Sequence, residues 1–211
     1  MVSDETVRAE ALAIAETAKA AGKAIDATVG FGGWVKQTLG TIPEDVLGLV
    51  GGDWLHQKRK RNLIELEAKT SEILLSMGAG PPFEPSPSVV VPLLIGAADE
   101  SRPELQDLWA ALLASALQPD GGSRVRRAFF ETLKAMEPDD ARLFRALASI
   151  GTGAMISDQI EERIGAELGL FGAAAAVGWE ALTKLSLVRT SLNKQMTLYG
   201  QEFWRACNPS M

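Results

Sequence analysis

The 211-residue sequence contains one histidine, His56, and one cysteine, Cys207, so side chains that commonly carry proton transfer or nucleophilic attack are scarce. A catalytic triad needs a base held between a nucleophile and an orienting acid. His56 lies in the run His56, Gln57, Lys58, Arg59, Lys60, Arg61, Asn62, where a solvated helix surface is expected. Cys207 falls on a short helix near the C-terminus, away from a base or helix start, so a half-buried inert thiol is expected. Two Cys and His residues are too few for a zinc site, and no calcium loop of the Asp-x-Asp-x-Asp-Gly type is present. Gly30, Gly32, Gly33, Gly151 and Gly153 lack the Gly-Lys-Ser/Thr ending of a phosphate loop, and they are expected to end helices. Asp139, Asp140, Glu161 and Glu162 fall in expected first turns, where they complement the helix dipole. The expectation is therefore no enzyme, no catalytic residue, no cofactor and no metal.

Binding chemistry is better represented. Lys58, Arg59, Lys60 and Arg61 directly follow an apolar stretch that ends in Trp54 and Leu55. With Trp34 and Trp54 at an interface, this cluster suits a protein partner or an anionic membrane surface. The plainer alternative is a solvated helix face paired with nearby acids such as Glu65 and Glu67. Net charge is -6 and the isoelectric point about 5.0, which argues against broad nucleic-acid binding.

The elements that position these groups are mostly helical. Val7, Ala11, Ile14, Ala18, Ala21 and Ile25 form a seam of alternating spacing over residues 4–28. Its alanines permit close approach of a partner helix, but each contact buries little. Thr41, Pro43 and Glu44 make a capping box with proline in the first turn. Val46, Leu47, Val50, Trp54 and Leu55 follow as an apolar face, interrupted by Gly51 and Gly52. Leu63, Leu66, Thr70, Ile73 and Met77 then mark a helix that ends near Met77.

Residues 78–88 hold four of the ten prolines and read as a linker. A helix over about 88–98 follows. The next helix is expected to open on a capping box of Ser101 and Glu104, with Leu105, Leu108, Trp109, Leu112 and Leu113 as core. Val125, Phe129, Leu133 and Met136 mark a further helix by their spacing.

From Pro138 onward the order is helix 139–149, a helix capped by Ser157 to about 169, and an Ala-rich helix 171–185. Short strands are expected at 187–191 and 195–199, joined by a turn at 192–194, and a last helix carries Phe203 and Trp204. The uncharged run 168–179 is read as a buried helix, since no run of about 18 apolar residues is present to cross a membrane.

The fold class is thus mainly α, with an N-terminal helical region at 1–77, the linker at 78–88, a central helical segment at 89–137, and a winged-helix-like domain with a short β-hairpin at 138–211. Eight acidic and seven basic residues lie in that last region, and its third helix offers only Glu180 and Lys184 as charged groups. A protein-binding role is favoured over a DNA reader, for which Arg189 and Lys194 in the wing would be the phosphate contacts. A single cysteine and no visible secretory signal point to the cytoplasm, with peripheral contact at the inner membrane through residues 1–62 as an option.

Several segments together resemble the Abi-alpha family of bacterial abortive-infection proteins. They are the run from Gly51 through Gly52, Asp53 and Trp54 to Leu55, followed by Arg59 and Asn62; Val91 to Leu94 with Ala97 and Ala98; Leu105 to Ala114, including Trp109; and Pro138 to Ala141. Leu185 to Val188, Leu198 to Phe203, and Cys207 complete the set. The likeness spans about 42–207, with Ser115 standing where asparagine is expected. Residues 1–40 match no family pattern. The resemblance implies defence against bacteriophage by stopping growth or killing the infected cell, and it brings no catalytic residue with it; action through protein association or membrane perturbation is expected from the N-terminal helix, the Trp/Gly segment and the basic cluster. A winged-helix transcriptional regulator is the alternative.

Overall fold

The computed structural model describes residues 53–78, 83, 85–119, 121–190 and 194–209. The expected helix at 4–28, the glycines at 30–33, Trp34, the Thr41 cap, Gly51 and Gly52 lie outside the described residues, as do Ser191, Leu192 and Asn193 of the expected hairpin turn.

The described chain is mainly helical. Helix α1 spans Asp53–Ser76, α2 Pro87–Ala98, α3 Pro103–Ala116, α4 Gly121–Arg124 and α5 Arg127–Ala135. Helix α6 spans Pro138–Ile150, α7 Asp158–Leu168 and α8 Ala173–Lys184. Strands β1 (Val188–Thr190) and β2 (Lys194–Met196) form an antiparallel hairpin, with Val188 opposite Met196. Helix α9, Leu198–Ala206, closes the order.

Helix α3 is the central element. Leu105, Leu108, Trp109 and every residue from Ala110 to Ala116 are buried. Trp109 stacks on Phe130 with ring centroids 6.2 Å apart, and its ring lies over Gly96, where a Cβ would come within 2.6 Å. Thr70 of α1 is wholly buried; its hydroxyl donates to Leu66 O at 2.7 Å and lies 3.4 Å from Ala110 O. Small residues on α3 let α1 come this close. On the other side Phe129, Phe144 and Phe203 meet edge to face or tilted at 5.4–5.5 Å, joining α5, α6 and α9 in one core. Ser115 Oγ donates to Ala206 O at 2.6 Å across that core.

Several local expectations are corrected. Helix α3 does not open on a Ser101 capping box: its N-cap is Arg102, without a side-chain cap bond. The Glu100 carboxylate instead accepts from the Arg102 backbone N–H at 2.8 Å and from its guanidinium at 2.9 Å. Ser157 holds the N-cap position of α7 but makes no side-chain cap bond. The second strand stops at Met196, because Thr197 accepts from Gly200 N–H at 2.8 Å and starts α9 at Leu198. Part of the linker is tied down, since Phe83 N–H donates to Leu117 O at 2.8 Å and Pro85 is buried. Helix α8 is not a buried helix. Gly178, Trp179 and Leu182 face the core, while Ala173, Ala174, Ala176 and Val177 are exposed. Alanine methyls cost little to leave in water, so an uncharged helix does not have to be buried.

Candidate functional site

Helix α1 divides into two faces. Leu63, Leu66, Thr70 and Leu74 turn inward onto α2 and α3. Two polar residues share this inward side. Asn62, 2 % exposed, donates from Nδ2 to the Ala98 carbonyl at 2.8 Å, which satisfies a carbonyl at the C-terminal end of α2. Arg59 lies one turn earlier and pairs with Asp99 at 2.6 Å. Beyond them, Glu100 and Arg102 continue the polar junction, and Arg102 reaches Glu137 at 2.7 Å ahead of α6. Burial raises the Glu100 carboxyl, but the hydrogen bonds and charge of Arg102 outweigh it, so Glu100 sits below the usual carboxylate range. Further along α1, Lys69 pairs with Asp107 at 2.5 Å, and Asp107 also accepts from Arg145 of α6 at 3.3 Å. These pairs fix α1 against the core. They do not assemble a reactive group.

The outward face is of a different kind. Trp54, Lys58, Arg61, Glu65, Ala68, Glu72 and Leu75 follow one another at spacings of 4, 3, 4, 3, 4 and 3. Trp54 is 72 % exposed, Ile64 58 % and Leu75 42 %. The Lys58 ammonium lies 5.4 Å from the Trp54 ring centroid. Trp54, Gln57, Lys58 and Arg61 line a cleft of about 320 Å³.

The expected contact residues therefore separate. Trp54, Lys58 and Arg61 share the outward face with Lys60 at its edge, whereas Arg59 turns inward to Asp99. Trp34 and Gly52 lie outside the described residues, and of Asp53 only the backbone is described. The pairing with Glu65 and Glu67 is not formed: among the described residues Lys58, Lys60, Arg61, Glu65, Glu67 and Glu72 make no ion pair. Gln57, Ile64, Glu72 and Leu75 were not singled out from sequence, although the period of the outer stripe would have found them.

The remaining sequence candidates fall in the core. Trp109 is packed and 1 % exposed. Cys207 is buried, and burial pushes its thiol far above the ordinary range, only partly opposed by Arg145. Asp140 is buried; burial raises its carboxyl despite the hydrogen bond it accepts from Glu137 N–H at 2.9 Å, and the charges of Glu137 and Asp139 add to the rise. No group of three or more His, Cys, Asp or Glu suited to a metal occurs among the described residues. No described helix is long and apolar enough to cross a membrane. A second cleft of about 270 Å³ lies between Arg126, Phe129, Leu198, Tyr199 and Glu202.

No curated protein and no solved structure matches the chain. The family described as abortive infection alpha matches residues 58–193, nearly two thirds of the sequence, a span that includes Arg59, Asn62 and Trp109 and stops short of Trp54. The chain belongs to the abortive infection alpha family, and its role lies in abortive infection as a defence against phage.

Proposed function

We propose that this abortive-infection protein is a non-enzymatic effector that works in the cytoplasm through association, with the outward face of α1 as its working surface. The observation that carries this is the division of α1. Its polar residues Arg59 and Asn62 are used internally, at Asp99 and the Ala98 carbonyl, while Trp54, Lys58 and Arg61 are held outward by the same helix. An exposed tryptophan beside charges that make no ion pair among the described residues is characteristic of contact surfaces. The buried titratable groups suit catalysis poorly: Cys207 holds its proton, and Asp140 is committed to a helix start.

The test is phage challenge of cells that express substituted proteins. Conservative removal of buried chemistry, by Asp140→Asn, Glu100→Gln or Cys207→Ser, leaves protection intact provided the protein stays folded. Trp54→Ala with Lys58→Glu and Arg61→Glu abolishes it. The opposite pattern would identify an enzyme.

A second reading is peripheral contact with an anionic membrane, favoured by the exposed Trp54 beside Lys58 and Arg61. It predicts flotation with anionic but not neutral liposomes, lost in the same triple variant. The DNA-binding alternative has less support. In the hairpin Lys194 is paired with Glu161 and lies over Trp179, and on α8 Glu180 and Lys184 pair with each other. Lys194 and Lys184 are cations that a winged-helix-like DNA reader would need to turn toward phosphates.

A further inference from the structure

From the same outward face of α1, and resting on its role as the working surface, we infer the identity of one partner: a second copy of this chain, paired through α1 in antiparallel fashion about a two-fold axis near Ile64. The polarity of the stripe carries this inference. Its N-terminal half bears Lys58 and Arg61, and its C-terminal half bears Glu65 and Glu72. None of the four makes an ion pair among the described residues.

Such an order opposes the helix's own dipole, because cations sit toward the positive end and anions toward the negative end. Among the described residues nothing offsets this. An antiparallel copy offsets both parts of it. The two dipoles oppose each other, and each basic half lies along a partner's acidic half. A stripe that is its own complement under a two-fold rotation is what an isologous interface requires. Ile64 is next to the midpoint of Asp53–Ser76, so it meets its own symmetry mate. Trp54 near one end faces Leu75 near the other, so the three large exposed apolar side chains of the stripe are covered at once.

The size of the face sets the strength. A 24-residue helix is about 36 Å long, and a stripe of about 10 Å width offers some 400 Å² per copy, below the roughly 800 Å² of a standard stable interface. The dimer is therefore reversible, forms in the micromolar range and is weakened by salt.

Sedimentation velocity of the full chain between about 1 and 100 µM tests it, with circular dichroism to confirm folding. The wild type shifts from monomer toward dimer across that range. Lys58→Glu with Arg61→Glu makes the stripe acidic throughout, and Glu65→Lys with Glu72→Lys makes it basic throughout. Each variant alone stays monomeric, with self-association weakened at least about tenfold, as expected for like charges placed in contact. The two mixed in equal amounts form a heterodimer, and all four substitutions in one chain restore self-association. The Ile64→Cys variant crosslinks to its symmetry mate on oxidation in the dimer. A wild type that stays monomeric throughout, or a dimer that ignores both charge reversals, overturns the inference. If the chain stays monomeric while the Trp54, Lys58 and Arg61 variant still loses phage protection, the working surface stands and only the identity of its partner fails.

Discussion

Asn62 Nδ2 donates to the backbone carbonyl of Ala98 at 2.8 Å, from a side chain that is 2 % exposed. One bond thus fastens the middle of α1 to the end of α2, thirty-six residues later in the chain. Arg59 and Asp99 form the adjoining pair at the same junction. Asn62 and Arg59 hold the helix in place, and by doing so they determine which side of it faces outward.

Removing that bond exposes its contribution. Asn62→Ala leaves the Ala98 carbonyl buried and unsatisfied, which costs about 1–3 kcal/mol in urea unfolding. Asn62→Asp costs more than Asn62→Ala, because an ionised carboxylate cannot donate and would face both the carbonyl and Asp99. Equal midpoints for the three proteins would show that the carbonyl finds another donor.

Two glycines allow close packing, and they differ in what a methyl group would meet. At Gly200 a Cβ would lie 2.2 Å from the Leu187 carbonyl oxygen, which is backbone and cannot turn aside. At Gly178 it would lie 2.4 Å from Leu143 Cδ1, the end of a side chain that can rotate. Gly200→Ala therefore falls at or above the upper end of the roughly 1–3 kcal/mol typical of overpacking, and Gly178→Ala near the lower end. Thermal unfolding of the two variants ranks them directly.

The acid side of the stability profile depends on Glu100. Its folded pKa is lowered from the ordinary 4.5, so its contribution is complete above that value and is lost as pH falls through the lowered one. Asp140, raised in the fold, has the opposite sign, and its contribution disappears as pH rises through its folded pKa. Replacing Arg102 with glutamine removes the guanidinium's hydrogen bonds and charge, and leaves only the backbone N–H groups of residues 101 and 102 to oppose the burial that raises Glu100. The variant is less stable at neutral pH, and between about pH 5 and 3 it loses less stability than the wild type. Parallel profiles from urea unfolding at each pH would show that Arg102 does not govern Glu100.

Cys207 is 6 % exposed and its thiol is held protonated. Ellman's reagent at mildly alkaline pH therefore fails to label the native protein on the timescale that labels the urea-unfolded chain. Prompt labelling of the folded protein would mean that the C-terminal helix opens readily.

Much of this was legible in the sequence, because one-sided burial leaves a period. The inward line of α1, the dense core of α3 around Trp109 and the order of helices before the hairpin all follow from apolar spacing. What was not legible came from tertiary context. Ser101 looked like a cap, but Arg102 holds the N-cap position and is itself fixed by the Glu100 carboxylate. Helix α8 looked buried because it lacks charge, yet its alanines face water. The four consecutive cations at 58–61 looked like one patch. A helix turns about 100° per residue, so Arg59 is carried to Asp99 on the inward side while Lys58 and Arg61 stay outward.

The central claim is that the outward face of α1 performs the defence, and the most direct measurement is phage propagation in cells expressing the Lys58→Glu, Arg61→Glu variant at wild-type levels and with wild-type circular dichroism. The account predicts that phage propagate as in cells lacking the protein, and that adding Glu65→Lys and Glu72→Lys to the same chain restores protection. Full protection by the folded double variant would contradict it.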